Sequence, residues 1–196
     1  MTRQVRDSLP RLLLHPLEER PLNDQVVETT ARVAISGYAG FATWATLMKQ
    51  TIYEAAGGLE AFIALAHAWH ARCLADPVVS HAFSHGFHPQ HTERLAMYWA
   101  ESLGGPSAYS NSIGNESFVV RLHSGNGKHK EMDERAQVCF ASALEDAGLP
   151  NDATLRATLK EYFRWATEAM SAYPNSAADV PQRLSVPRWS WEGPIS

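Results

Sequence analysis

The chain has 196 residues, 45% of them hydrophobic and 19% charged, and a formal net charge of −4; that describes one globular domain with extensions and excludes a disordered tail. Lysine and arginine are scattered along it, so there is neither a basic stripe for nucleic acid nor a polybasic membrane patch. No apolar run approaches the roughly 20 residues that cross a bilayer. In chain order, MTRQVRDSLPRLLLHPLEERP holds a three-leucine run too short for a signal sequence and closed by His15 and Pro16, so secretion is not expected. Tyr38, Phe41, Trp44 and Met48 fall at helical spacing and predict a helix in an N-terminal extension over 1–51. In LEAFIALAHAWHARCLA, Phe62, Leu65, Ala66, Trp69 and Cys73 recur every three or four residues until Asp76-Pro77 stops the pattern.

The next helix is expected from near Pro89, a residue suited to a first turn, to Gly104-Gly105-Pro106, which cannot continue it. His91, Leu95, Tyr98 and Ser102 then share one face. Residues 107–128 read as short and loop-rich, and two amphipathic helices follow, in MDERAQVCFASALEDAG and DATLRATLKEYFRWATEAM. The tail over 173–196 carries Pro174, Pro181, Pro187 and Pro194 and is expected to be extended and irregular, with the two tryptophans of PRWSWEGP pinning it to the surface. The fold class is all-α, best defined between Ile52 and Met170. Cys73 and Cys139 sit in predicted helices, where cysteines are most often buried thiols of a reducing compartment, so a cytoplasmic location is expected.

The stretch SHAFSHGFHPQH places His81, His85, His88 and His91 in twelve positions. A zinc or di-metal hydrolase needs three or four converging ligands, commonly a pair four apart on one helix. His81 and His85 have that spacing, yet Gly86 and Pro89 break any helix through the cluster and no His-Asp pair or HExxH accompanies it, so a solvated corner is the preferred reading for His81, His85 and His88. HSGNGKHK ends superficially like a phosphate loop, but no buried strand precedes it and no Ser or Thr follows Lys128. A third chemistry is haem, which needs an apolar slot between helices, one firm axial ligand and a few polar groups opposite. His123, after Phe118-Val119-Val120, and the helix-borne His70 and His91 offer those groups.

From Ile52 to Met170 the chain resembles the group II truncated haemoglobins. IYEAAGG resembles the family's opening, ERLAMYWAESLGGPSAYS its distal helix with the Gly-Gly-Pro-x-x-Tyr that ends it, and RLHSG the segment carrying the proximal histidine. The resemblance implies a two-over-two helical sandwich around haem b within 52–172. It implies His123 as the iron ligand, Phe83 as the aromatic against the haem, His91 as the main distal residue with Leu95 one turn later, Tyr98 and Trp69 lining the pocket, and Arg94 near a propionate. Three departures stand out. Trp69 is followed by His70 where the family usually has tyrosine, Ala136 replaces a ligand-binding tryptophan, and Ser124-Gly125 replaces Pro-Phe. With two usual donors missing, very tight oxygen binding is not expected.

By the same resemblance, the implied function is reversible binding of O2, NO or CO in a bacterial protein, with His70 and His91 as distal groups. The alternative is a haem enzyme, either a peroxidase acting on peroxide or a nitric oxide dioxygenase served by a reductase. The aromatic-rich extensions could cover the pocket or form a homodimer contact, and the sequence does not choose between these.

Overall fold

The computed structural model describes residues 50–195. The helix expected around Tyr38–Met48 lies outside them. The described residues form seven α-helices: α1 (Ile52–Ala56), α2 (Gly58–Ala75), α3 (His91–Ser102), α4 (Ala108–Ser112), α5 (Glu116–Leu122), α6 (Lys130–Asp146) and α7 (Ala153–Met170). Short 3-10 turns occupy Val79–Phe83 and Ala177–Asp179, and a two-stranded antiparallel hairpin pairs β1 (Arg188–Ser190) with β2 (Gly193–Ile195). The class is all-α, and α2 packs on α3 and α6 while α6 packs on α7.

Local chemistry explains the helix boundaries. Thr51 and Glu54 form a reciprocal capping box at α1, with the Glu54 N–H donating to Thr51 Oγ1 at 3.1 Å and the Thr51 N–H donating to Glu54 Oε2 at 2.8 Å. Gly104-Gly105 ends α3 where the chain passes against α1. Gly104 has φ +97°, and a Cβ there would lie 2.7 Å from the Thr51 side chain; one on Gly105 would lie 2.7 Å from the Ala100 carbonyl oxygen. Asp76 stops α2 and ties it to α6: its carboxylate accepts from the N–H groups of Val78 and Val79 at 2.9 and 3.0 Å and from Arg135 Nη2 at 2.7 Å. The Arg135 hydrogen bonds, with help from those backbone N–H groups, hold the Asp76 carboxyl at about 2, well below its usual range.

The core is aromatic where the two helix pairs meet. Phe140 of α6 and Phe163 of α7 stack at 4.1 Å, and Trp99 of α3 meets both edge-on at 5.4 and 5.9 Å. Each such pair adds roughly 0.5–1.5 kcal/mol beyond its buried area. Leu65, Ala66, Ala143, Leu144 and Leu159 close the interior. Cys73 and Cys139 are free and buried, and burial pushes both thiols up.

Two regions differ from expectation. Residues 107–128, read as loop-rich, hold α4 and α5, and the irregular tail ends in a hairpin. Trp189 is buried against Tyr162 and Trp165, at ring-centroid distances of 5.9 and 5.3 Å, and Trp191 Nε1 donates to the Gln50 carbonyl at 2.8 Å. Among the described residues no helix is long and apolar enough to cross a membrane.

Candidate functional site

Asn115 starts α5 by accepting the Phe118 N–H on its side-chain oxygen at 3.0 Å, and the helix ends at His123. The His123 ring is exposed. Its Nδ1 lies 2.8 Å from the Val119 carbonyl oxygen. A carbonyl only accepts, so Nδ1 carries the hydrogen and Nε2 keeps its lone pair, the tautomer that a backbone carbonyl imposes on metal-binding histidines. Phe118 and Leu122, on the same side of α5, are 51% and 63% exposed. Apolar side chains of that size, left open beside a free imidazole nitrogen, mark a surface shaped for an apolar ligand.

A second group of candidate side chains comes from α2, the chain between α2 and α3, and α3. His70 is buried and His91 half-buried, with ring centroids 5.0 Å apart. Phe83 and Phe87 frame His70 at 4.8 and 4.5 Å, and both also meet His91. Phe87 is 49% exposed, so the frame opens on one side. Among the described residues the Nε2 atoms of both histidines are buried without a hydrogen-bond partner. A buried orphaned polar atom costs about 1–3 kcal/mol, so two in one place point to a partner that belongs there. Burial, then the charge of His67, lowers the His70 pKa. Burial, then His70 and His123, lowers that of His91 to about 4. Both rings are therefore neutral at neutral pH, and His123 is near enough to be felt at His91.

The remaining expected residues have distinct surroundings. Tyr98 is buried, and its hydroxyl donates to Glu116 Oε2 at 2.8 Å, which ties α3 to the first turn of α5. Burial raises the Glu116 pKa, opposed by that hydrogen bond. Trp69 donates its indole N–H to the Ala136 carbonyl at 3.2 Å and meets Phe83 edge-on at 6.4 Å, so its polar atom is directed into the α2–α6 contact. Leu95 is half-buried against the core. Arg94 is half-buried on the first turn of α3 and, among the described residues, makes no ion pair or side-chain hydrogen bond.

His81, His85 and His88 are exposed, and among the described residues no three His, Cys, Asp or Glu side chains converge as a bare-metal site. Sequence reasoning passed over Phe87, Phe118, Leu122 and Glu116. The spacing of Phe118 and Leu122, four residues apart and just before His123, was the available signal.

Residues 51–170 match the family described as bacterial-like globin. The chain belongs to this family, among the truncated haemoglobins. A thermostable haemoglobin of Thermobifida fusca is 32% identical, with a TM-score of 0.52 over 62% of this chain and 96% of that one. The haemoglobin of Chloroflexus aurantiacus is 29% identical, with a TM-score of 0.53 over 62% and 97%. The group II truncated haemoglobin of Bacillus anthracis, at 20% identity and a TM-score of 0.55 over 65% and 95%, shares the fold. The comparison with curated proteins returned no match. As a globin the chain is a haem-binding protein, and the residues present suit that group: an imidazole with its Nε2 lone pair beside open Phe118 and Leu122, and two imidazole nitrogens without partners among the described residues beside open Phe87.

Proposed function

We propose that this globin holds haem b through His123 Nε2 and reversibly binds dioxygen, or another diatomic ligand, on the side of His70 and His91. The observation that carries the reading is the pairing of a free His123 Nε2 with the partnerless Nε2 atoms of His70 and His91. When bound, haem supplies the ferrous iron at which a diatomic ligand docks. The Val119 carbonyl fixes the His123 ring and raises its basicity toward a metal. His70 and His91, neutral at working pH, each present one N–H to a ligand that accumulates negative charge, a stabilisation of about 1 kcal/mol per hydrogen bond and somewhat more in a dry cleft. Phe83 and Phe87 limit water around them. In this reading Leu95, Tyr98 and Trp69 are lining and packing groups, and Arg94, half-buried and without an ion pair among the described residues, is the partner of a propionate.

A second reading, peroxidase or nitric oxide dioxygenase action with a reductase as electron donor, draws support from the closeness of two imidazoles that could pass a proton. It ranks second because His91, with a pKa of about 4, is a weak base at neutral pH and a better donor than proton acceptor. The test is oxygen dissociation followed by stopped flow for the unaltered chain, His70→Leu and His91→Leu. Binding supported by these donors requires about fivefold faster release for each lost hydrogen bond. Unchanged release in both variants, together with peroxide-driven dye oxidation that falls in His91→Leu, would replace binding by the enzyme reading.

A further inference from the structure

The chain from Ser171 onward lies beyond the residues matched by the globin family, yet it is bonded along the helix that leads to His123. α5 has seven residues, fewer than the roughly 12–15 at which an isolated helix is even marginally stable. The side bearing Phe118, Leu122 and His123 is left open, so the orientation of α5 has to come from its other side. Ser117, Val120 and Ser124 are buried there, with Arg121 half-buried beside them.

Glu116 is held by Tyr98 of α3, while the partners of Ser117 and Arg121 belong to the tail. Ser117 Oγ donates to the Pro181 carbonyl at 2.8 Å and accepts the Leu184 N–H at 2.9 Å. Arg121 Nη2 donates to the carbonyls of Val180 and Pro181 at 3.3 and 3.4 Å. Just past His123, the N–H groups of Gly125 and Gly127 donate to the carbonyls of Tyr173 and Pro174 at 3.0 and 2.9 Å. The tail therefore grips the chain before and after the histidine. It is itself moored at its far end, where Arg188 donates to Ser107 Oγ at 2.7 Å and to the carbonyls of Glu101 and Gly105, and Trp189 is buried.

We propose that residues 171–190 form a proximal clamp, in which Ser117 and Arg121 are positioning residues that fix α5 and so set the orientation of the His123 ring on the iron. The clamp rests on the haem reading above, because the ring it orients is the proposed ligand. The path is short: α5 carries both the ring and, in Val119, the carbonyl that fixes its tautomer.

The experiment uses the full chain and two variants, Ser117→Ala/Arg121→Gln and, at the far mooring, Arg188→Gln. The iron–histidine stretching band of the ferrous unliganded protein and the rate of haem transfer to apomyoglobin are measured beside amide exchange over residues 116–127 of the haem-free chain. The clamp requires a shifted and broadened stretching band and about tenfold faster haem transfer in the double variant, the low end of the 10–100-fold typical for lost outer-shell partners. It also requires a smaller change in the same direction for Arg188→Gln. An unmoved band with unchanged transfer overturns it, whatever the exchange shows. Failure of the unaltered chain to take up haem would remove the haem reading alone. Exchange in the haem-free chain then decides the clamp, with unchanged protection of 116–127 in the double variant overturning it and faster exchange upholding the grip on α5.

Discussion

The aromatic core and the cleft are made from the same kinds of residue and end in opposite states. Phe140 and Phe163 stack against each other and meet Trp99 edge-on with almost no exposure, whereas Phe87, Phe118 and Leu122 stand about half open or more. Some polar groups divide the same way. The Trp69 indole and the Tyr98 hydroxyl are paired within the protein, while the Nε2 atoms of His70 and His91 are buried without a partner among the described residues. Ser102 Oγ, Tyr162 Oη and Trp189 Nε1 are also buried without a partner among the described residues, so what sets the histidine pair apart is that it lies beside the half-open ring of Phe87. Where burial is missing and hydrogen bonds are owed, a ligand completes the structure.

The largest effect should come from the core. Phe140→Ala removes the ring stacked on Phe163 and is expected to destabilise the haem-free chain by about 3–5 kcal/mol in a denaturant titration. A loss below about 1 kcal/mol would mean that the core relaxes into the gap and is not the rigid half of the contrast.

Tyr98→Phe comes next. It strips the buried Glu116 carboxyl of its donor, for an expected loss of about 1–3 kcal/mol and a further rise in the Glu116 pKa. In the unaltered chain that pKa is already raised, so the carboxyl favours folding at acid pH and loses that contribution as pH climbs through its folded pKa. Glu116→Gln should flatten that part of the pH–stability curve, and an unchanged curve would show the carboxyl to be solvated.

Asp76 has the opposite sign. Its pKa of about 2 lies below the unfolded value, so its contribution is present above the unfolded pKa and fades as pH falls toward 2. Arg135→Gln should move the acid-unfolding midpoint to higher pH, and an unmoved midpoint would mean that α2 and α6 are joined by packing alone.

Phe118→Ser should be the mildest of these for stability, within about 0.5 kcal/mol in the haem-free chain because the ring is open, while weakening haem uptake. A large loss of haem-free stability would place Phe118 in the core and erase the contrast.

Periodicity and breakers are enough to find α2, α3, α6 and α7, because each runs for three turns or more, with Asp76-Pro77 closing α2, Gly104-Gly105 closing α3, Gly148 following α6 and Asp152 capping the start of α7. α4 and α5 escape this reading. They have five and seven residues, less than two turns each, and the faces of α5 are shared between an open cleft and a tail whose position no local pattern reveals. The hairpin at Arg188–Ile195 is hidden for a related reason: its strands are three residues long, and Pro194 lies within one. Residue chemistry singles out His70, His91 and His123. It misses Phe87, Phe118 and Leu122, since an apolar side chain reads alike in sequence whether it packs on a helix or awaits a ligand. Glu116 is missed because a carboxylate is ordinarily solvated, and only Tyr98, 18 residues earlier, explains its burial.

The measurement that bears most directly on the cleft is a haem titration of the full chain followed by its visible spectrum in the ferric, ferrous and ferrous-CO forms, beside His123→Gly with and without added imidazole. The expected result is one haem per chain with a histidine-ligated ferrous spectrum, lost in His123→Gly and restored when imidazole occupies the vacated place. Haem uptake that is unchanged without His123, or absent from the unaltered chain, would contradict the account.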